Sequence, residues 1–118
     1  MPKPNPLREK SYEFSKKIVY FCRKMQEQKE FFLSKQLLKS GTSIGANIAE
    51  ANQAQSKLDF ISKLSIALKE GHESDYWLRL IRDTTPKFAH DVSVLLQELN
   101  EIISLLTASI NTSKKSLR

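Results

Sequence analysis

The sequence predicts an all-α chain folded as an antiparallel up-down-up-down four-helix bundle, on three observations. Helix breakers are scarce: 3 glycines and 4 prolines occur in 118 residues, and Pro2, Pro4 and Pro6 are confined to the start. Four stretches repeat apolar residues at the helical period. The stretches between them are short, which sets neighbouring helices antiparallel. One hydrophobic core is within reach of a chain this long without disulfides or metals.

Residues 1–7 read as a flexible proline-rich lead, residues 8–111 as the bundle and residues 112–118 as a frayed basic tail. The first helix is expected over about 8–28, with Leu7, Phe14, Ile18, Phe21, Cys22 and Met25 on one stripe. Its other side carries Lys16, Lys17, Tyr20, Arg23 and Lys24, an aromatic ring within a cationic strip that Glu13 and Glu27 interrupt. Two readings fit this strip: a solvated surface, or a nucleic-acid contact using phosphate attraction and base stacking.

A break at Gln28 to Phe32 precedes the second helix, expected over 35–54 with Ser34 as its N-cap and Leu33 packed on Leu38. Leu33, Leu37, Ser40, Ile44, Ile48 and Ala51 share one face. Gly41, Gly45 and Ala49, at i, i+4 and i+8, form a strip of small residues along which another helix can approach closely. Each of the two glycines costs about 1 kcal/mol of helix propensity, which packing must offset. Ser43, Asn47 and Glu50 lie on the other flank, solvated or hydrogen-bonded to a neighbouring helix or subunit, with Arg79 as one candidate partner.

Ser56 with Asp59 three residues on reads as the cap of a third helix over 57–84. Its main apolar face holds Phe60, Ile61, Leu64, Ala67, Leu68, Gly71 and Leu78, into which Asp75 projects with Arg79 one turn later. An acid and a base at i, i+4 form a helix-surface pair, whereas a buried pair must have every hydrogen bond satisfied. Ile66, Trp77 and Ile81 make a second apolar group among Lys63, Glu70 and Glu73, which points to a subunit interface anchored by tryptophan or to a terminal segment folded over it.

Thr85-Pro86 marks the next boundary. A fourth helix over 87–111 places Phe88, Val92, Leu95, Leu96, Leu99, Ile102, Ile103, Leu106 and Ile110 in a heptad-like pattern.

The formal net charge is +6, and it is uneven: residues 1–39 hold ten Lys/Arg against four Asp/Glu. Cys22 is the single cysteine, which excludes an intrachain disulfide and fits a small buried apolar residue. With no apolar stretch of about 18 residues and no secretory h-region, the expected location is the cytoplasm and no membrane partner is expected. The metal-binding bundle pattern of Glu-x-x-His on two helices is absent: Lys69 stands three before His72, and Lys87 three before His90. There is neither a nucleophile elbow nor a phosphate-binding glycine loop. No cofactor, no metal and no enzymatic activity are expected.

The segment Thr42 to Ala51, TSIGANIAEA, followed by DFISKLSIALKEGHESDYWLRLI, resembles the four-helix-bundle family that includes the 23S ribosomal RNA intervening-sequence proteins. The resemblance is close over about residues 33–83 and rests on pattern alone in the first and last helices. It implies a left-handed antiparallel bundle that assembles as a ring-like homopentamer, with no established enzymatic activity. Similar bundles are accessory proteins of diversity-generating retroelements, where a basic pentamer binds a reverse transcriptase and nucleic acid. Gly71 stands where such proteins are expected to carry alanine, which implies a locally softer third helix.

These readings lead to a non-enzymatic homo-oligomeric bundle acting as a nucleic-acid-associated or scaffold module, with RNA or DNA as partner. The alternative is a protein-binding adaptor that uses the Trp77 face and has no nucleic-acid role.

Overall fold

The computed structural model describes residues 5–117, so residues 1–4 of the lead and Arg118 of the tail lie outside the described residues. Four α-helices make up the fold: α1 (Pro6–Glu27), α2 (Phe31–Ala51), α3 (Lys57–Thr84) and α4 (Ala89–Lys115), with one 3₁₀ turn, Pro86–Phe88, leading into α4. There is no strand among the described residues.

The boundaries follow local chemistry, and several differ from the sequence reading. The Asn5 side chain accepts a hydrogen bond from the Arg8 backbone N–H at 3.1 Å, and Pro6 occupies the first turn where its missing N–H costs nothing. Helix α1 therefore starts within the proline-rich segment, before residue 8. It ends at a tight turn in which Lys29 has φ of 65°, the left-handed region that non-glycine residues seldom adopt.

Helix α2 starts at Phe31, so Ser34 is no cap: it lies buried inside the helix, its hydroxyl donating to the Phe31 carbonyl at 3.0 Å. The helix also stops at Ala51, before the expected residue 54. Helix α3 keeps its expected limits, with Ser56 Oγ accepting from the Asp59 N–H at 3.0 Å. Helix α4 continues to Lys115, so residues 112–115 are helical rather than frayed; Lys114 and Lys115 fall in its last turn, where the helix dipole favours cations.

Each helix packs on its neighbours in cyclic order, α1 on α2, α2 on α3, α3 on α4 and α4 on α1, with no diagonal pair among the described residues. The protein measures 49 × 27 × 20 Å, and at 1.5 Å per residue α3 alone is about 42 Å long, so the helices lie along the long axis. The core is apolar apart from the buried serines Ser11, Ser34, Ser40 and Ser74: Phe14, Ile18, Met25, Leu37, Ile44, Ala67, Leu78, Ile81, Phe88, Val92, Leu99 and Leu106 are all fully buried. Phe21 meets Phe88 edge to face across the α1 to α4 seam, centroids 5.6 Å apart.

Two of the three small residues on α2 bring α1 close. A Cβ on Gly41 would lie 2.9 Å from Ile18 Cγ2, and one on Gly45 would lie 2.8 Å from Ser15 Oγ and 3.2 Å from the Ser11 carbonyl oxygen. Ala49 does not continue the strip into the packed seam. It is exposed, because each i, i+4 step turns the strip by about 40° and carries it off the seam, and it borders an open groove of about 1040 Å³ with Arg8, Tyr12, Thr42 and Gly45.

Candidate functional site

Charge and exposed rings are the two features that this bundle offers to a partner. The cationic strip expected on α1 is largely neutralised. Lys17 pairs with Glu98, Lys24 Nζ lies 2.7 Å from Asp91 Oδ2, and Lys10 Nζ lies 3.2 Å from Glu101 Oε2. Lys10, Lys17 and Lys24 are spaced by seven residues, two helical turns, and so meet α4 along one line. Lys16 pairs within its own helix with Glu13 at 2.9 Å, and that hydrogen bond holds its ammonium above the usual lysine range. Its ammonium also lies 5.4 Å from the centroid of the exposed Tyr12 ring. Of the five strip residues, Tyr20 is exposed and Arg23 is the one cation with no ion pair among the described residues. These pairs are solvated and individually weak, so they compete with a ligand for the lysines without forbidding one.

The second feature is aromatic. Trp77, half-buried on α3, stands between Tyr76 and Phe32: its ring is 5.1 Å from Tyr76 at 79° and 6.3 Å from Phe32 at 85°. Its Nε1–H donates to Glu73 Oε2 at 3.3 Å. Phe31, Phe32 and Tyr76 are 61, 67 and 59 % exposed, and Ile66 is 40 % exposed on the same helix as Trp77. Ile81, grouped with these by sequence, is fully buried in the core. Helix α3 packs on both α2 and α4, so its buried arc is wider than a single-stripe reading assigns and takes in Ile81. The sequence reads Phe31 and Phe32 as a break and does not single out Tyr76, so of the three rings that meet here only Trp77 is legible as interface. The signal available was two consecutive bulky rings just before a helical period.

The polar residues are mostly satisfied within their own helices. Ser43 donates to the Lys39 carbonyl at 2.6 Å and Asn47 to the Ser43 carbonyl at 2.8 Å. Glu50 crosses the seam to Lys63 at 3.2 Å. Arg79 does not reach Asn47 or Glu50; it pairs with Asp75 at 2.8 Å. That pair sits at the surface, with the arginine side chain 51 % exposed, so Asp75 does not project into the core. The inter-helix polar contact inside the core is elsewhere: Ser74 Oγ donates to Ser40 Oγ at 2.9 Å.

Cys22 is buried, and burial pushes its thiol up to about 12. Among the described residues no three His, Cys, Asp or Glu side chains gather in a metal-binding group, and no helix is long and apolar enough to cross a membrane.

Comparison with known proteins adds the following. Residues 5–108 match the model of the family described as 23S rRNA-intervening sequence protein. A crystal structure of a protein of unknown function from the S23 ribosomal protein family of Bacteroides thetaiotaomicron is similar over 88 % of this chain and 97 % of its own, at 48 % identity and a TM-score of 0.84. No curated protein matches.

Proposed function

The chain belongs to the 23S rRNA-intervening sequence protein family, and from that premise we propose that it is a non-enzymatic, homo-oligomeric helical bundle serving as a nucleic-acid-associated or scaffold module in the cytoplasm. The observation that carries the assembly is the uncovered cluster of Phe32, Tyr76 and Trp77. Rings of this size exposed together on one side of a small domain mark an interaction surface. The family resemblance favours five copies.

Within each copy we take the helices to run up-down-up-down, left-handed. Partners across the seams support the antiparallel order. Lys10, Lys17 and Lys24 meet Glu101, Glu98 and Asp91 in turn, and Ser40 and Glu50 meet Ser74 and Lys63.

Nucleic acid is favoured by charge. Five copies at +6 would carry +30, concentrated on the first third of each chain, and such a field attracts polyanions from about one Debye length, roughly 8 Å at physiological salt. The test is purification without nuclease, followed by titration with labelled RNA and DNA across salt. Co-purifying nucleic acid and an affinity that falls steeply with salt are expected; no binding at low salt removes the nucleic-acid role.

A second reading, a protein-binding adaptor with, for example, a reverse transcriptase as partner, is favoured by the edge-to-face seating of Trp77 between Phe32 and Tyr76. A pulldown that survives nuclease and is abolished by Trp77→Ala, with the oligomer intact, supports this reading over the first.

A further inference from the structure

We infer that the nucleic-acid surface is not the α1 strip facing α4 but the end of the bundle where α1 turns into α2, and that it takes single-stranded nucleic acid on Arg23, Lys29, Lys35, Lys39 and the Phe31 ring. This rests on the nucleic-acid reading above.

Availability of charge decides the location. Lys10, Lys17 and Lys24 each have a carboxylate of α4 within ion-pair distance, and Lys16 has Glu13. A phosphate reaching them must displace those carboxylates. Arg23, Lys29, Lys35 and Lys39 are exposed and have no ion pair among the described residues. Leaving out Lys24, which pairs with Asp91, residues 23–39 hold four Lys/Arg against Glu27 and Glu30, a net +2.

Register brings these cations together. Gly45 faces Ser15 and Gly41 faces Ile18, so Arg23, five residues beyond Ile18 on α1, comes level with the stretch of α2 that carries Lys35, six residues before Gly41, and Lys39 stands one turn from Lys35 on the way back to Gly41. Lys29 lies in the connecting turn, its left-handed backbone holding the chain between the two helices. Phe31, 61 % exposed, opens α2 between Lys29 and Lys35 and is not among the rings that pack on Trp77. A free ring set among unpaired cations offers stacking to an unpaired base and attraction to its phosphates, and a base already stacked in a duplex cannot use the ring.

The experiment compares two triple variants of equal charge, each lowering the net charge from +6 to +3: Arg23→Gln/Lys35→Gln/Lys39→Gln, and Lys10→Gln/Lys17→Gln/Lys24→Gln. Anisotropy of a labelled single-stranded oligonucleotide is read across salt, with helicity by circular dichroism confirming the fold. The first triple is expected to lose at least about tenfold in affinity and to lower the salt slope by about 2–3; the second is expected to lose about threefold or less. Phe31→Ala is expected to lose about fivefold for the single strand and to leave duplex binding unchanged. Equal losses in the two triples, or a larger loss in the second, overturn the location while the nucleic-acid reading stands. Unchanged affinity in Phe31→Ala, with a fall in oligomer mass, assigns the ring to contact between copies and overturns its stacking role. No binding by the unaltered protein overturns the reading and this inference together.

Discussion

Ser74 and Ser40 share a hydrogen bond of 2.9 Å in the middle of the α2 to α3 seam, both fully buried, and Ser40 lies 3.5 Å from the Leu37 carbonyl as donor. The chain Ser74 to Ser40 to Leu37 satisfies both hydroxyls in a site closed to bulk solvent. Ser74→Ala leaves Ser40 its carbonyl acceptor and is expected to cost about 1 kcal/mol, the net worth of one hydrogen bond. Ser40→Ala leaves the Ser74 hydroxyl without that partner and is expected to cost more, about 1–3 kcal/mol. The double variant should cost less than the sum, which a double-mutant cycle in urea reads directly.

The glycines of this fold are expected to respond in opposite directions. At Gly45 a methyl group meets the Ser15 hydroxyl at 2.8 Å and backbone at 3.2 Å, so the propensity gain of about 1 kcal/mol is offset by overpacking of about 1–3 kcal/mol. Gly45→Ala should be neutral to destabilising, and Gly45→Leu should disrupt the α1 to α2 seam. An unchanged melting temperature and oligomer for Gly45→Leu would contradict the close approach of α1.

At Gly71 the nearest obstacle is Ile103 Cγ1 at 3.3 Å, on a side chain only partly buried and able to shift. Gly71→Ala is expected to stabilise by roughly 0.5 kcal/mol, most of the propensity gain. A chemical-denaturation midpoint that falls would show that Ile103 cannot move.

The Cys22 thiol, ordinarily near 9.0, is held neutral up to about 12 by burial. The folded state thus keeps a proton that the unfolded state releases. The stabilisation is fully present below about pH 9 and is lost as pH rises towards 12, with a slope of up to about 1.4 kcal/mol per unit. Thermal melts from pH 8 to 11 should show a shallower decline for Cys22→Ala than for the unaltered protein, and native Cys22 should resist alkylation until the chain unfolds. Equal declines would place the thiol in contact with solvent.

Much of the fold was legible because burial and periodicity coincide. The stripe Phe14, Ile18, Phe21, Cys22 and Met25 is buried as read, and so are Val92, Leu95, Leu99, Leu106 and Ile110. The Ser56 cap declared itself through Asp59. What was hidden depends on partners distant in sequence. The carboxylates that neutralise Lys17 and Lys24 lie 81 and 67 residues away, and no local pattern couples them. Periodicity starts helix α2 late because Phe31 and Phe32 sit exposed on its first turn and break the amphipathic pattern. Ile81 reads as outside because a single apolar stripe does not show that α3 serves two neighbours, and Asp75 reads as inside because its helix position borders that wide arc while its carboxylate turns outward to Arg79.

Assembly through the Phe32 and Trp77 face is tested most directly by solution mass. Light scattering at micromolar concentration should give a multiple of 13.5 kDa, five copies by the family resemblance. The pair Phe32→Ala/Trp77→Ala should lower that mass while helicity is retained, because large aromatic anchors carry most of an interface's free energy. A stable 13.5 kDa species for the unaltered protein, or an assembly untouched by the double substitution, would contradict it.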